Sequence, residues 1–158
     1  MITKSIVLIG MPGSGKSTVG KLLAKRLNMD FCDTDYLIIE RTGETLQDTL
    51  NKRGREGFLS EERQVLLNLN PDNPIVIATG GSVVLHADAM EHLREIGTVV
   101  FLDADLPLIR KRLWNIDTRG IVFNDTEDDV KGVYVEREPL YYKYSDIRVH
   151  IRGKKVNE

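Results

Sequence analysis

Short apolar runs recur along the chain, and at least one segment with helical spacing separates each run from the next. Such runs, bounded by polar or turn-forming residues, are typical of β-strands. Because helical segments carry the chain back between successive strands, the strands are expected to be parallel and covered by helices. The pattern predicts a three-layer α/β fold with a five-stranded parallel sheet, whose strands are Ile6–Ile9, Asp30–Asp33, Ile75–Ala78, Thr98–Leu102 and Asp146–Ile151.

Two of the helical segments carry a clear apolar stripe. We expect both stripes to be buried against the sheet, with most Lys and Arg side chains on the solvated faces. The stripes consist of Val19, Leu22, Leu23 and Leu27 in the first helix and of Leu106, Ile109 and Leu113 in a later one.

Two further segments interrupt the simple alternation of strands and helices. Residues 36–70 are too long for a plain crossover, and their pattern indicates a short helix at Thr45–Asn51 and a longer one at Glu56–Asn70. We expect this insertion to form a substrate-binding flap. Residues 115–127 lack apolar periodicity and contain several turn formers, which predicts a mobile lid loop.

The composition indicates one domain, residues 1–158, with a small molecule as its partner. The 22 basic and 24 acidic residues give a net charge of −2. Since no basic stripe stands out, we expect neither nucleic acid nor a membrane surface as a partner, and we expect a monomer. Cys32 is the single cysteine, which excludes an internal disulfide and favours a cytoplasmic location. We expect it to be a small buried residue on a strand.

The strongest chemical signal follows the first strand directly. Residues 10–18 read Gly-Met-Pro-Gly-Ser-Gly-Lys-Ser-Thr. Between a strand and a helix, the glycines let backbone N–H groups converge on a polyphosphate at the positive end of the helix. Lys16 then reaches the β- and γ-phosphates, and Ser17 ligates the bridging Mg²⁺. A turn without a ligand is the alternative, but the glycines and an unpaired lysine would then only cost stability.

The loop predicts that ATP and Mg²⁺ are bound. The residues expected to bind the nucleotide are Gly13, Ser14, Gly15, Lys16, Ser17 and Thr18.

Other motifs narrow the class of phosphate-loop protein. No Asn-Lys-x-Asp guanine motif is present, whereas Asp-Thr-Asp follows the second strand at residues 33–35 and Ala-Thr-Gly-Gly follows the third at 78–81. Arg119 lies in the predicted lid, and residues 137–141 read Arg-Glu-Pro-Leu-Tyr. In this order, over nearly the whole chain, the motifs resemble those of shikimate kinases, which have the fold of nucleoside monophosphate kinases. The resemblance implies phosphoryl transfer from ATP to a hydroxyl of shikimate.

The two aspartates after the second strand receive different roles from this resemblance. Asp33 supports the Mg²⁺ through water, and Asp35 binds acceptor hydroxyls and accepts the proton of the attacking one. A carboxylate beside the nucleophile suits phosphoryl transfer, which depends chiefly on positioning. The alternative is that one of them caps the following helix, predicted at Tyr36–Arg41.

The resemblance also assigns the remaining acceptor contacts. Gly80 and Gly81 offer backbone N–H groups to the substrate and the γ-phosphate, although Gly-Gly is most often a plain turn. Arg137 takes the substrate carboxylate, which a fork-shaped guanidinium fits well. A salt bridge to Glu136 or Glu138 is the weaker alternative, because neighbours in a helix point apart.

Two arginines are assigned to the nucleotide in the same way. Arg119 becomes the lid arginine that neutralises charge on the transferring phosphoryl group, and Arg112 lies against the adenine. A solvated side chain is the alternative for each: the place of Arg119 in the lid argues against it, whereas the adjoining Arg110 and Lys111 support it for Arg112.

The chain departs from shikimate kinases at two positions in the acceptor pocket. Leu59 stands where the family carries a second carboxylate-binding arginine, and Ser82 replaces a third glycine and is expected to narrow the pocket. Arg55, one turn upstream, is the candidate to replace the lost arginine. Alternatively, Leu59 joins an apolar stripe with Leu66 and the pocket holds a less acidic molecule.

Three functions therefore remain open from the sequence. Shikimate phosphorylation is favoured. A kinase of another polyol or sugar acid is suggested by Leu59 and Ser82, and the third option is a nucleotide-binding regulatory module without turnover.

Overall fold

The computed structural model describes residues 3–114 and 127–151. Its five strands form one parallel sheet in the order β2-β3-β1-β4-β5. This confirms the predicted sheet, with β4 extending further at both ends than the sequence pattern indicated. The strands are β1 (Ser5–Ile9), β2 (Asp30–Asp33), β3 (Ile75–Ala78), β4 (Gly97–Ala104) and β5 (Ile147–Ile151).

Helices cover both faces of the sheet. Gly20 packs against Leu8 of β1, while Tyr141 stacks on Phe101 of β4 with ring centroids 5.1 Å apart. Phe101 pairs with Ile9, the neighbour of Leu8, and successive strand residues point to opposite faces. The architecture therefore has three layers. The helices are α1 (Lys16–Leu27), α2 (Thr34–Thr42), α3 (Leu46–Leu67), α4 (Ala87–Ile96), α5 (Leu106–Trp114) and α6 (Glu127–Tyr144), with a 3-10 turn at Val83–Leu85.

The predicted buried face of α1 is partly wrong. Leu22 is 41% exposed and Leu27 is 36% exposed, whereas Gly20 and Ala24 are buried. A side chain at position 20 would collide with the Phe31 ring, because the place of its Cβ lies 2.7 Å from that ring. The helix thus approaches the sheet through its small residues; Leu22 and Leu27 turn outward, whereas Val19 and Leu23 pack against the main core.

The insertion builds a second apolar cluster beside the main core. Helix α3 is broken at Gly54, where φ is 71°, a conformation that favours glycine. This break separates the two helices predicted from the sequence. The cluster consists of Ile38, Leu46, Phe58 and Val65, with Leu37, Ile39, Leu50 and Leu59 packed against it.

Within the described ranges, no helix is both long and apolar enough to cross a membrane. Cys32 lies on β2 as predicted, but it is only half-buried. Burial nevertheless raises the pKa of its thiol.

Candidate active site

The phosphate-binding loop has the backbone that polyphosphate binding requires. Gly13 and Gly15 adopt φ values of 83° and 96°, and Gly15 is the N-terminal capping residue of α1. Among the described residues no side chain caps that helix end, which is the arrangement that suits an anion at the helix N–H groups. The Ser14 hydroxyl is buried and has no hydrogen-bond partner among the described residues. An unsatisfied buried hydroxyl at this point fits a bound phosphate.

Lys16 is buried beneath the loop. Its Nζ donates to the carbonyl oxygens of Gly10 at 2.7 Å and Met11 at 2.9 Å. Burial lowers the pKa of Lys16 to about 8, although the negative charge of Asp35 opposes this shift. The ammonium group is therefore a charge that the fold holds without full solvation, and a phosphate is a better partner than two carbonyls.

The lowered pKa of Lys16 gives a testable pH dependence. Lys16 is charged below about pH 8 and neutral above it, so kcat/KM for ATP should fall above that pH. The expected slope is roughly tenfold per pH unit, because this parameter reports ionisations of the free enzyme. Initial rates at low ATP concentration measure it. The plateau of kcat at saturating ATP should extend to higher pH, since bound phosphates favour the ammonium form. A kcat/KM profile that stays flat well above pH 8 would contradict this role.

Asp33 joins the loop to β2 and α2. Its Oδ2 accepts from the Ser17 hydroxyl at 2.9 Å, and its Oδ1 accepts from the backbone N–H of Asp35 at 2.9 Å. Asp33 is thus the N-terminal cap of α2, which begins at Thr34, two residues before the predicted start. The capping role belongs to Asp33, and Asp35 lies in the first helical turn.

The Ser17 and Asp33 oxygens fit a Mg²⁺ ion bound mainly through water and phosphate. Among the described residues, no group of three or more His, Cys, Asp and Glu could hold a metal. Mg²⁺ does not require such a group when substrate phosphates provide ligands.

Gly80 lies at the carboxyl end of β3, where two carboxylates approach it. A Cβ at this position would lie 2.9 Å from Glu62 Oε2 and 3.0 Å from Asp35 Oδ1. At Gly81 a Cβ would lie 2.5 Å from Pro12 Cδ, so this backbone touches the phosphate-binding loop. Gly80 lets the two carboxylates approach the backbone, and Gly81 lets the backbone touch the phosphate-binding loop. A plain turn would not require glycine for either of these contacts.

Arg137 is only 2% exposed, although it is charged. Its guanidinium hydrogen-bonds to the Tyr141 side chain, and the Tyr141 hydroxyl donates to the Gly81 carbonyl at 2.6 Å. Burial raises the pKa of Tyr141, so this hydroxyl stays protonated and keeps donating. The Tyr141 hydrogen bond thereby joins α6, the helix that carries Arg137, to the loop after β3.

Of the two arginines predicted to bind the nucleotide, Arg112 lies among the described residues and Arg119 does not. Arg112 is half-buried, and its guanidinium donates to the Gly13 carbonyl at 2.9 Å. This contact places it on the phosphate-binding loop, unlike a fully solvated surface arginine. Arg119 and residues 115–126 of the predicted lid lie outside the described residues.

The structure does not bring Arg55 to the other predicted residues. Its side chain is exposed just after the break at Gly54, and in residues 3–114 and 127–151 no partner is described for it. Leu59 is half-buried and packs against the second apolar cluster. This packing agrees with the alternative in which Leu59 belongs to an apolar stripe, although Leu66 itself lies in the main core.

Sequence reasoning missed two residues, Glu62 and His86. Glu62 is 1% exposed, and its carboxylate accepts from the Ser82 hydroxyl and contacts the His86 ring. A signal was present, since Glu62 is four residues after Phe58 and three before Val65, both buried on α3. An acidic residue within an apolar helical stripe points to a buried carboxylate with a role.

The fold and site together define a small-molecule kinase of the phosphate-loop type. A family profile described as shikimate kinase matches residues 12–158. The chain is 39% identical over 156 residues to the shikimate kinase of Paracidovorax citrulli. The aligned region covers 96% of this chain and 85% of that relative. The chain is 36% identical over 147 residues to the enzyme of Dechloromonas aromatica, with coverages of 92% and 80%. The chain belongs to the shikimate kinase family.

Solved structures agree with this assignment. Shikimate kinase from Acinetobacter baumannii, in complex with shikimate, superposes with a TM-score of 0.90 at 29% identity, covering 98% of this chain and 87% of that one. Shikimate kinase from Aquifex aeolicus superposes with a TM-score of 0.81 at 32% identity. The superposition covers 97% of this chain and 89% of that one. A sugar kinase from Janibacter, at 17% identity and a TM-score of 0.64, shares the fold alone. Members of the family are phosphotransferases that use ATP as the donor.

Proposed function

We propose that this protein transfers the γ-phosphoryl group of ATP to a hydroxyl of shikimate, forming shikimate 3-phosphate. The observation that carries the proposal is the charge environment of Lys16. Burial lowers the pKa of Lys16; the charge of Asp35 opposes this shift, that of Arg137 adds to it, and those of Asp33 and Glu62 also oppose it. The Lys16 ammonium group is therefore close enough to interact with Asp33, proposed to support the metal, and with Asp35 and Arg137, proposed to bind the acceptor. In-line transfer needs the two substrates to be held side by side in this way.

On the donor side, the loop N–H groups and Lys16 hold the β- and γ-phosphates. Ser17 and Asp33 supply the oxygens that would position Mg²⁺, which neutralises developing charge when it is bound. Arg112 fixes the loop through the Gly13 carbonyl and lies where it can meet the nucleotide. Arg119 remains the proposed lid arginine on the grounds of sequence.

On the acceptor side, Arg137 offers a buried, planar pair of donors to a carboxylate. Asp35 lies beside Gly80 and serves as the acceptor of the hydroxyl proton. The N–H groups of Gly80 and Gly81 orient the acceptor and the γ-phosphate. Asp35 lies in the first turn of α2, directly after β2, and Arg137 is buried on α6.

A kinase of another polyol or sugar acid is the second candidate. Leu59 favours it because it brings no positive charge to a substrate carboxylate, and Ser82 favours it because a serine in place of glycine is expected to narrow the pocket. Membership of the shikimate kinase family argues against a regulatory module without turnover, and the proposed donor and acceptor residues support turnover.

The decisive experiment measures ADP release with shikimate and with a panel of polyhydroxy acids. We expect turnover with shikimate and a much lower kcat/KM for the other acids. Turnover of another acid but not of shikimate would establish the second candidate. ATP binding without turnover of any acceptor would establish the regulatory module.

Arg137→Lys should raise the KM for shikimate by about ten- to a hundredfold, because one charged hydrogen bond and the fork geometry are lost. The KM for ATP should hardly change. Steady-state kinetics in both substrates measure this, and Arg148→Lys is the matched control. Arg148 pairs with the buried Asp103 at 2.7 Å and is not among the proposed site residues. Equal effects of the two variants would contradict the role of Arg137.

Magnesium dependence, a monomeric state, a cytoplasmic location and the lack of nucleic-acid binding remain part of the proposal. The oxygen pair of Ser17 and Asp33 supports magnesium dependence, the balanced charge supports the lack of nucleic-acid binding, and the single cysteine supports the cytoplasmic location.

A further inference from the structure

Glu62 is a buried carboxylate held from outside its own helix. The Ser82 hydroxyl lies 2.8 Å from both Glu62 oxygens, and His86 Nε2 lies 3.0 Å from Oε1. Both partners flank the 3-10 turn between β3 and α4. An ionised carboxylate only accepts hydrogen bonds, so Nε2 carries the proton in this pair. A charge that is so deeply buried is tolerated only when donors of this kind satisfy it.

His86 is committed to this contact. Its side chain is 9% exposed, and although it is the residue that precedes α4, it does not cap that helix through its ring. One turn before Glu62, α3 presents Leu59, which packs against the second apolar cluster. The described donors to Glu62 therefore come from the turn after β3.

Glu62 also borders the acceptor side of the site. Its Oε2 approaches Gly80 on the same side as Asp35 Oδ1. The negative charge of Glu62 also reaches Lys16 and Tyr141. Any rotation of the Glu62 carboxylate would thus change the surface and the charge that an acceptor meets beside Asp35.

We propose that Ser82 and His86 are positioning residues for the acceptor, which act by holding the Glu62 carboxylate against Gly80. This inference rests on the proposed function. It identifies Ser82 as a donor to the buried carboxylate, which gives a physical reason for a serine at this position. It also makes this chain's acceptor affinity depend on a histidine outside the phosphate-binding loop.

The test compares kinetics in both substrates for His86→Ala, His86→Gln and Ser82→Ala. We expect His86→Ala and Ser82→Ala each to raise the KM for shikimate about tenfold, the value of one charge-assisted hydrogen bond. The KM for ATP and kcat should change little. His86→Gln should recover most of the affinity, because its amide can donate to Glu62. His92→Ala is the control, since His92 bonds the Leu69 carbonyl away from Glu62.

A double-mutant cycle separates positioning from general stability. In a Glu62→Gln background, His86→Ala should add almost nothing to the KM for shikimate, because the residue it acts through has been altered. The proposal is overturned if the two effects simply add, if His86→Gln is as impaired as His86→Ala, or if His86→Ala matches the His92→Ala control. Ser82→Ala and His86→Gln carry the test if His86→Ala does not fold.

A readout without turnover distinguishes failure of this inference from failure of the proposed function. In the unliganded protein, the imidazole ¹⁵N signals of His86 should shift on Glu62→Gln substitution, and those of His92 should not. Unchanged His86 signals would overturn the inference even if shikimate is phosphorylated. If the wild-type protein shows no shikimate turnover, the proposed function fails, and the ¹⁵N experiment still decides whether His86 holds Glu62.

Discussion

Lys16→Ala should abolish measurable phosphoryl transfer, a loss of roughly a thousandfold or more. Lys16 is buried under the loop, where its charge acts on the transferring group without screening by water. Its Nζ donates to two carbonyls of the loop, and no described side chain is bonded to it that could take over its charge. Steady-state ADP release and calorimetric ATP binding measure the loss.

The fold should survive this substitution. Burial disfavours the charged form of Lys16, so an alanine removes a desolvated charge as well as two hydrogen bonds. Lys21→Ala, on the exposed side of the same helix, is the matched control and should keep wild-type rates. Normal turnover of a purified, folded Lys16→Ala protein would refute the assignment of the loop.

Asp35→Asn should reduce transfer by about 10²- to 10⁴-fold while ATP affinity persists. The amide keeps the shape of the side chain but removes its charge and its ability to take a proton. The Asp35 carboxylate lies against Gly80, whereas the Ser17 hydroxyl bonds Asp33, so we expect the loss on the acceptor side. Single-turnover kinetics and calorimetry with ATP and with shikimate separate the two effects.

Asp33→Asn is the matched variant for this experiment. Asparagine caps helices as well as aspartate does, so α2 should keep its N-terminal hydrogen bond. The lost charge should weaken Mg²⁺-dependent ATP binding and leave shikimate binding intact. If Asp35→Asn lost ATP binding and kept acceptor binding, the roles of the two aspartates would have been assigned wrongly.

The sequence alone predicted the sheet and the phosphate-binding loop, because both are local signals. Each strand is a short apolar run, and the loop geometry is set by glycines adjacent to Lys16. The position of Asp33 and Asp35 also followed, since the carboxyl ends of parallel strands meet at one edge. Arg137 is buried, and Tyr141, four residues later in the same motif, donates to the Gly81 carbonyl. The binding roles themselves remain predictions.

Only the tertiary structure decided which face of α1 is buried. The apolar stripe favoured Leu22 and Leu27, but the closeness of Phe31 makes Gly20 the contact. Periodicity reports where apolar side chains are, and it does not report how near a neighbouring element lies. Arg112 shows the same limit, because its bond to Gly13 joins residues 99 positions apart.

The group around Glu62 is the clearest case of a feature decided by the fold. Glu62 is 20 residues from Ser82 and 24 from His86, and β3 lies between them in the chain. Sequence spacing determines contacts within a helix or along a strand, where the backbone geometry is known. Contacts between α3 and the turn after β3 depend on how the insertion packs over the sheet. The sequence therefore determined the chemistry of the loop and the strand ends, whereas packing decided which buried donors hold the carboxylate beside them.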